Sequence, residues 1–207
     1  MALVCRHASK GRVGLLAFAF CLVSFPDSAH AHTASAGLGE FWSGALHPLI
    51  SPTHVMIILG LGLLCGRRVP IQFERPAMAF AAVSALALAS TSTGWIQAVY
   101  PPVMMALSLA LGVLLALDKD PPLPILAAIF AVAALGLGLD SAVENGSATT
   151  IAMTLLGTWV SLSLLTVDAS ACVSFGHNLP WLRIAIQIAG GWIIAISVLM
   201  LAFFLRN

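Results

Sequence analysis

The stretch "HPLISPTH", His47 to His54, places two imidazoles and two prolines at the start of a long apolar run. Ionisable groups inside membrane-length segments are costly, so each one is a candidate for function. His47 and His54 lie seven residues apart, nearly two helical turns. On an ideal helix they share a face but stand about 10 Å apart along the axis. Metal–nitrogen bonds are about 2 Å, so an unbroken helix cannot bring both rings to one ion. Pro52 lies inside the interval; it removes a backbone hydrogen bond and clashes with the turn before it. The expected kink or unwound turn brings the imidazoles closer and exposes carbonyls. Broken helices beside a cavity are a common way for membrane transporters to build ion sites.

Asp140 and Glu144, at i and i+4, share a helical face and can supply oxygen ligands or hold protons. Imidazole combined with carboxylate suits nickel, cobalt, copper or zinc, and affinity order alone does not choose among them. Each candidate has a plainer reading. The histidines can hydrogen-bond to neighbouring helices, with Pro48 only starting a helix. Asp140 and Glu144 can be solvated in a loop, and Asp168 and His177 fit an interfacial position. The seven methionines are scattered and make no thioether relay for copper(I). A hydrolase using Ser51 or Ser141 with His54 would need a supporting motif, and neither GxSxG nor HExxH occurs.

The elements that must position these residues are membrane helices. Only 8% of residues are charged and mean hydropathy is +1.01, whereas soluble domains carry roughly a quarter charged residues. Apolar blocks of bilayer-crossing length suggest six spans, at about 44–66, 76–94, 101–117, 123–140, 148–170 and 184–205. Arg67, Arg68, Arg75, Lys119 and Arg183 flank alternate connections, which places those connections in the cytoplasm and both mature ends outside. Trp42, Trp95, Tyr100 and Trp181 fall at the expected interfaces. Runs such as "AFAAVSALALAS" let helix backbones approach closely, so an all-α, compact six-helix bundle is expected. The connections are too short for a soluble catalytic unit. Arg6, Lys10 and Arg12, the apolar stretch Val13 to Phe25 and "AHA" ending at Ala31 read as a signal peptide. The expected organisation is therefore a signal over 1–31 and a six-span domain over 32–207, with His32 at the mature end. Cys5, Cys21, Cys65 and Cys172 show no CxxC spacing and imply no disulfide framework. No basic cluster suited to nucleic acid is present.

"HPLISPTH" followed by "VMIILGLGLL" resembles the first span of the HupE/UreJ family of nickel and cobalt permeases. The family pattern there is His-Pro, five residues further an Asp, then His; His47, Pro48 and His54 match, and Thr53 stands at the Asp position. A second family motif, Phe-His-Gly-x-Ala-His-Gly-x-Glu, is best placed ending at Glu144, with Gly138 matching. Its two histidines then fall on Leu137 and Ser141, and its alanine on Asp140. Replacing nitrogen ligands by oxygen hardens such a site. The resemblance implies a non-enzymatic, multi-pass protein of the bacterial inner membrane that takes up a divalent transition metal, nickel or cobalt, from the periplasm. His47, His54, Asp140, Glu144 and His32 are the candidate metal residues. No tightly bound cofactor is expected beyond the transported ion. The partners are the lipid bilayer and the metal, without nucleic acid; a homo-oligomer or partner membrane subunits also fit. The rival is an accessory or scaffold subunit that has lost transport. N-terminal sequencing of protein extracted from the membrane is expected to begin His-Thr-Ala; a start at Met1 would contradict the cleaved signal.

Overall fold

The computed structural model describes residues 39–68, 73–92, 99–143, 146–176 and 178–206. The signal segment, His32, Trp95, Glu144 and His177 lie outside them. The described residues form seven helices: α1 (Glu40–Ile50), α2 (Pro52–Gly66), α3 (Glu74–Thr91), α4 (Pro101–Ala116), α5 (Leu123–Asp140), α6 (Ala148–Phe175) and α7 (Leu182–Arg206). Prolines open α2, α4 and α5, where a missing N–H costs nothing. Ser147 caps α6 by accepting the Thr150 N–H at 3.2 Å.

Helices α5, α6 and α7 are long and apolar enough to cross a membrane, and α1 with α2 forms a further candidate span as a pair bent by 75°. The single first span expected from sequence is thus two helices. Helix α4 has 16 residues, short of a full crossing, and α3 begins with Glu74 and Arg75. The 28 residues of α6 extend about 42 Å, past the ~30 Å hydrocarbon core. It continues to Phe175, one turn beyond the expected end, because no helix breaker intervenes before Gly176. Asp168, near that end, is exposed rather than buried.

Helix α2 is the axis of the bundle. It packs against α1, α4, α5, α6 and α7, and it can be surrounded because it carries no Lys, Arg, Asp or Glu and no Trp or Phe. Its glycines allow close contact: a Cβ on Gly66 would strike the Ser170 carbonyl of α6, and one on Gly60 would lie 3.1 Å from the Leu111 Cβ of α4. Around this axis α3 packs on α5 and α4 on α7. In the first pair Gly138 faces Ala87 and Phe80 meets Phe130 edge-on at 6.3 Å. In the second, the Ser108 and Ser197 hydroxyls share a buried hydrogen bond of 2.8 Å. Large apolar side chains such as Leu86, Trp192 and Leu205 point outward instead. An apolar exterior around an apolar core suits contact with lipid.

At the end of α2 opposite the histidines, charge is paired across three elements. The Arg67 guanidinium donates to Asp118 Oδ1 at 3.1 Å and to the Lys119 carbonyl. Arg68 donates to the Pro121 carbonyl at 2.7 Å and lies 3.3 Å from Asp120. Arg183, in the first turn of α7, donates from Nε to the other Asp118 oxygen at 2.6 Å. Asp118 holds a positive φ of 53°, which turns its carboxylate between the two arginines. Breaking a buried pair by removing one partner costs about 3–5 kcal/mol. Asp118 is one-fifth exposed, so Asp118→Asn is expected to cost less, on the order of 2 kcal/mol, once solvent screening is allowed for. Thermal unfolding in detergent checks this; an unchanged midpoint would show that the cluster contributes nothing.

Candidate functional site

Two prolines shape the histidine end. Pro48 lies inside α1 rather than at its start. Its missing N–H would have bonded to the carbonyl of Gly44, four residues earlier. That carbonyl finds a partner on another helix: the buried Thr158 hydroxyl of α6 donates to it at 3.1 Å, shared with the Thr154 carbonyl at 3.0 Å. The two helices touch backbone to backbone at this crossing. A Cβ on Gly44 would collide with the Thr154 carbonyl, and one on Gly157 with the Phe41 carbonyl. Helix α1 is therefore held chiefly by α6.

Pro52 ends the continuity. Ser51 adopts extended geometry at φ −82° and ψ 114°, and Pro52 becomes the first residue of α2. The Ser51 N–H still reaches the His47 carbonyl at 3.3 Å, which closes α1. The chain then turns through 75°. His47 and His54, which a straight helix would keep nearly two turns apart, meet edge to face with ring centroids 5.3 Å apart. The expected approach of the two imidazoles is what the break produces.

His54 is wholly buried, and its Nε2 lies 2.9 Å from Asp140 Oδ2 at the last residue of α5. Asp140 is about one-quarter exposed. Neither His47 Nε2 nor His54 Nδ1 has a hydrogen-bond partner among the described residues, although both atoms are buried. Buried polar atoms are satisfied in the great majority of cases, so two orphans on neighbouring rings call for an explanation. Among the described residues no group of three His, Cys, Asp or Glu is arranged to hold a metal ion. Two imidazoles with one carboxylate behind them form the candidate site, and Glu144 and His32 lie outside the described residues.

The remaining candidates fall elsewhere. Leu137, at one family histidine position, is fully buried in the apolar core. Ser141, at the other, donates its hydroxyl to the Leu137 carbonyl at 2.7 Å. Ser51 pairs with Thr53 at 3.1 Å, and Thr53 is the residue standing at the family's aspartate position. Neither Ser51 nor Ser141 bonds to His54, and Asp168 lies near the opposite end of α6. Thr158 was not singled out by sequence reasoning. The available signal was Pro48 itself, since a proline inside a helix announces a carbonyl four residues back that needs a new donor.

Apolar faces turned outward and a polar site enclosed at a broken helix mark the chain as a membrane protein. It belongs to the HupE/UreJ family: the family model described as HupE / UreJ protein matches residues 19–201. No curated protein and no solved structure matches it. The family handles metal ions, which accords with the chemistry of imidazole nitrogens.

Thr158→Val keeps the shape of the side chain and removes the donor to Gly44. Leaving that carbonyl unsatisfied is expected to cost about 1–3 kcal/mol. Gly44→Ala is expected to cost more, because α1 must lift from α6. Thermal unfolding in detergent measures both, and a stability order reversed from this one would overturn the clamp.

Proposed function

We propose that the protein is a secondary permease for a divalent transition-metal ion, with nickel or cobalt the favoured cargo through its family. The observation that carries this reading is the pair of buried, partnerless nitrogens, His47 Nε2 and His54 Nδ1, on adjoining rings. Neutral imidazole nitrogens are good donors to this class of ion and poor ones to magnesium or calcium. The ion enters from the periplasmic side, meets the histidines and passes inward through a six-span bundle in the bacterial inner membrane. Both mature ends are external, and the arginine-rich end of the bundle faces the cytoplasm. Asp140, and Glu144 beside it in sequence, attract the cation on its way. No covalent chemistry is involved. The protein is a carrier, not an enzyme, and holds no resident cofactor.

The accessory-subunit reading draws on a separate observation. Thr53, Leu137 and Ser141 replace residues that the family motifs carry, and no three-ligand cluster exists among the described residues. A subunit that had lost transport would bind no metal specifically and would co-purify with a partner.

Calorimetric titration of the purified protein with nickel, cobalt, zinc, copper and manganese separates the two. The permease reading expects saturable binding to at least one ion, lost in the His47→Ala/His54→Ala double variant. Absence of binding by folded protein to every ion favours the accessory role.

A further inference from the structure

The position of Asp140 settles more than proximity. The oxygens of an ionised carboxylate are acceptors only. With Asp140 in that form, 2.9 Å from His54 Nε2, the contact is a hydrogen bond only when that nitrogen carries the proton. A neutral imidazole has one N–H and one lone pair. The lone pair of His54 then sits on Nδ1, the buried nitrogen with no partner among the described residues.

We propose that Asp140 is a positioning residue: it holds His54 in the Nε2–H form so that Nδ1 is offered to the cargo, and does not itself ligate the ion. The inference rests on the metal-permease reading of the same site. It revises the role that sequence alone suggests for Asp140, from an oxygen ligand to a carboxylate acting through a histidine. Ligating histidines commonly donate their other ring nitrogen to a carboxylate, which fixes the tautomer and makes the ligating nitrogen more basic.

Several features of the fold bear this out physically. His54 is enclosed on all sides, so no water corrects the wrong tautomer at low cost. Asp140 comes from α5 and His54 from α2, so the bond also orients the ring between two helices. The Ser141 hydroxyl is occupied by the Leu137 carbonyl and the Thr53 hydroxyl by Ser51. Among the described residues Asp140 makes the sole hydrogen bond to the His54 ring. The carboxylate that the family pattern puts beside the second histidine is absent at Thr53. Asp140 supplies one from a different helix.

The test is nitrogen NMR of protein labelled with ¹⁵N-histidine, in detergent, at a pH where imidazole is neutral. His54 signals are identified by their loss in His54→Gln. Wild type is expected to show His54 as the Nε2–H tautomer. Asp140→Asn, which keeps an acceptor oxygen, is expected to retain it, and Asp140→Leu to give a mixture or the other tautomer. In parallel titrations with the ion that wild type binds, Asp140→Leu is expected to weaken affinity by about 10–100-fold, with Asp140→Asn between it and wild type. A proton on Nδ1 in wild type, or an unchanged tautomer in Asp140→Leu, overturns the proposal. So does Asp140→Asn abolishing binding as fully as His54→Gln while the tautomer is intact, because that makes Asp140 a direct ligand. If wild type binds none of the ions, the metal reading fails, and the tautomer spectra still decide what Asp140 does to His54.

Discussion

The histidine end depends on a backbone carbonyl that its own helix cannot satisfy. Pro48 takes from Gly44 the N–H it would have received, and an unpaired carbonyl inside an apolar bundle costs free energy comparable to a lost hydrogen bond. The Thr158 hydroxyl supplies the missing donor. Gly44 and Gly157 permit that bond because side chains at either position would keep the helices apart. Once α1 is pinned to α6, Pro52 releases α2 from following it, and the chain turns at Ser51. The juxtaposition of His47 and His54 follows from these steps rather than from any direct attraction between the rings.

The two ends of α2 treat charge in opposite ways. At one end Arg67 and Arg68 are matched by Asp118, Asp120 and backbone carbonyls, and Arg183 adds a second cation to Asp118. At the other, two buried imidazole nitrogens have no partner among the described residues. Pairing offsets part of the cost of burial; leaving lone pairs open keeps a site available to something the fold does not contain. Between them runs a helix of glycines and aliphatic residues, packed on five neighbours and offering no charged side chain along its length.

Much of this was legible in the sequence because membrane helices announce themselves by length and apolarity. The bounds of α5 coincide with the expected span, and those of α4 and α7 differ from it by one or two residues. The break at Pro52 was readable because proline has a fixed chemical effect wherever it falls in a helix. Asp140 was recognisable as a candidate by its cost in such a segment. Its partner was not, since residues 86 positions apart meet only through the packing of α2 against α5. Thr158 was hidden for a related reason: Ser and Thr are common in these helices and mostly bond their own preceding turn, as Thr166 and Ser170 do. Nothing in its neighbours distinguishes a hydroxyl that also reaches another helix, as those of Thr158 and Ser174 do.

The break at Ser51 also divides the allegiance of the two rings. His47 rides on α1, which is fastened to α6, while His54 is tied through Asp140 to α5. Although the imidazoles are near neighbours in the chain, they are oriented by different contacts. Helix α2 itself packs chiefly on α6, so one long helix backs both halves of the broken span, and the turn at Ser51 sets the distance between the rings. With centroids only 5.3 Å apart, a shift of about one ångström at that turn is large beside a ~2 Å coordination bond. The bend is thereby the adjustable part of a pair whose two arms rest on the same support.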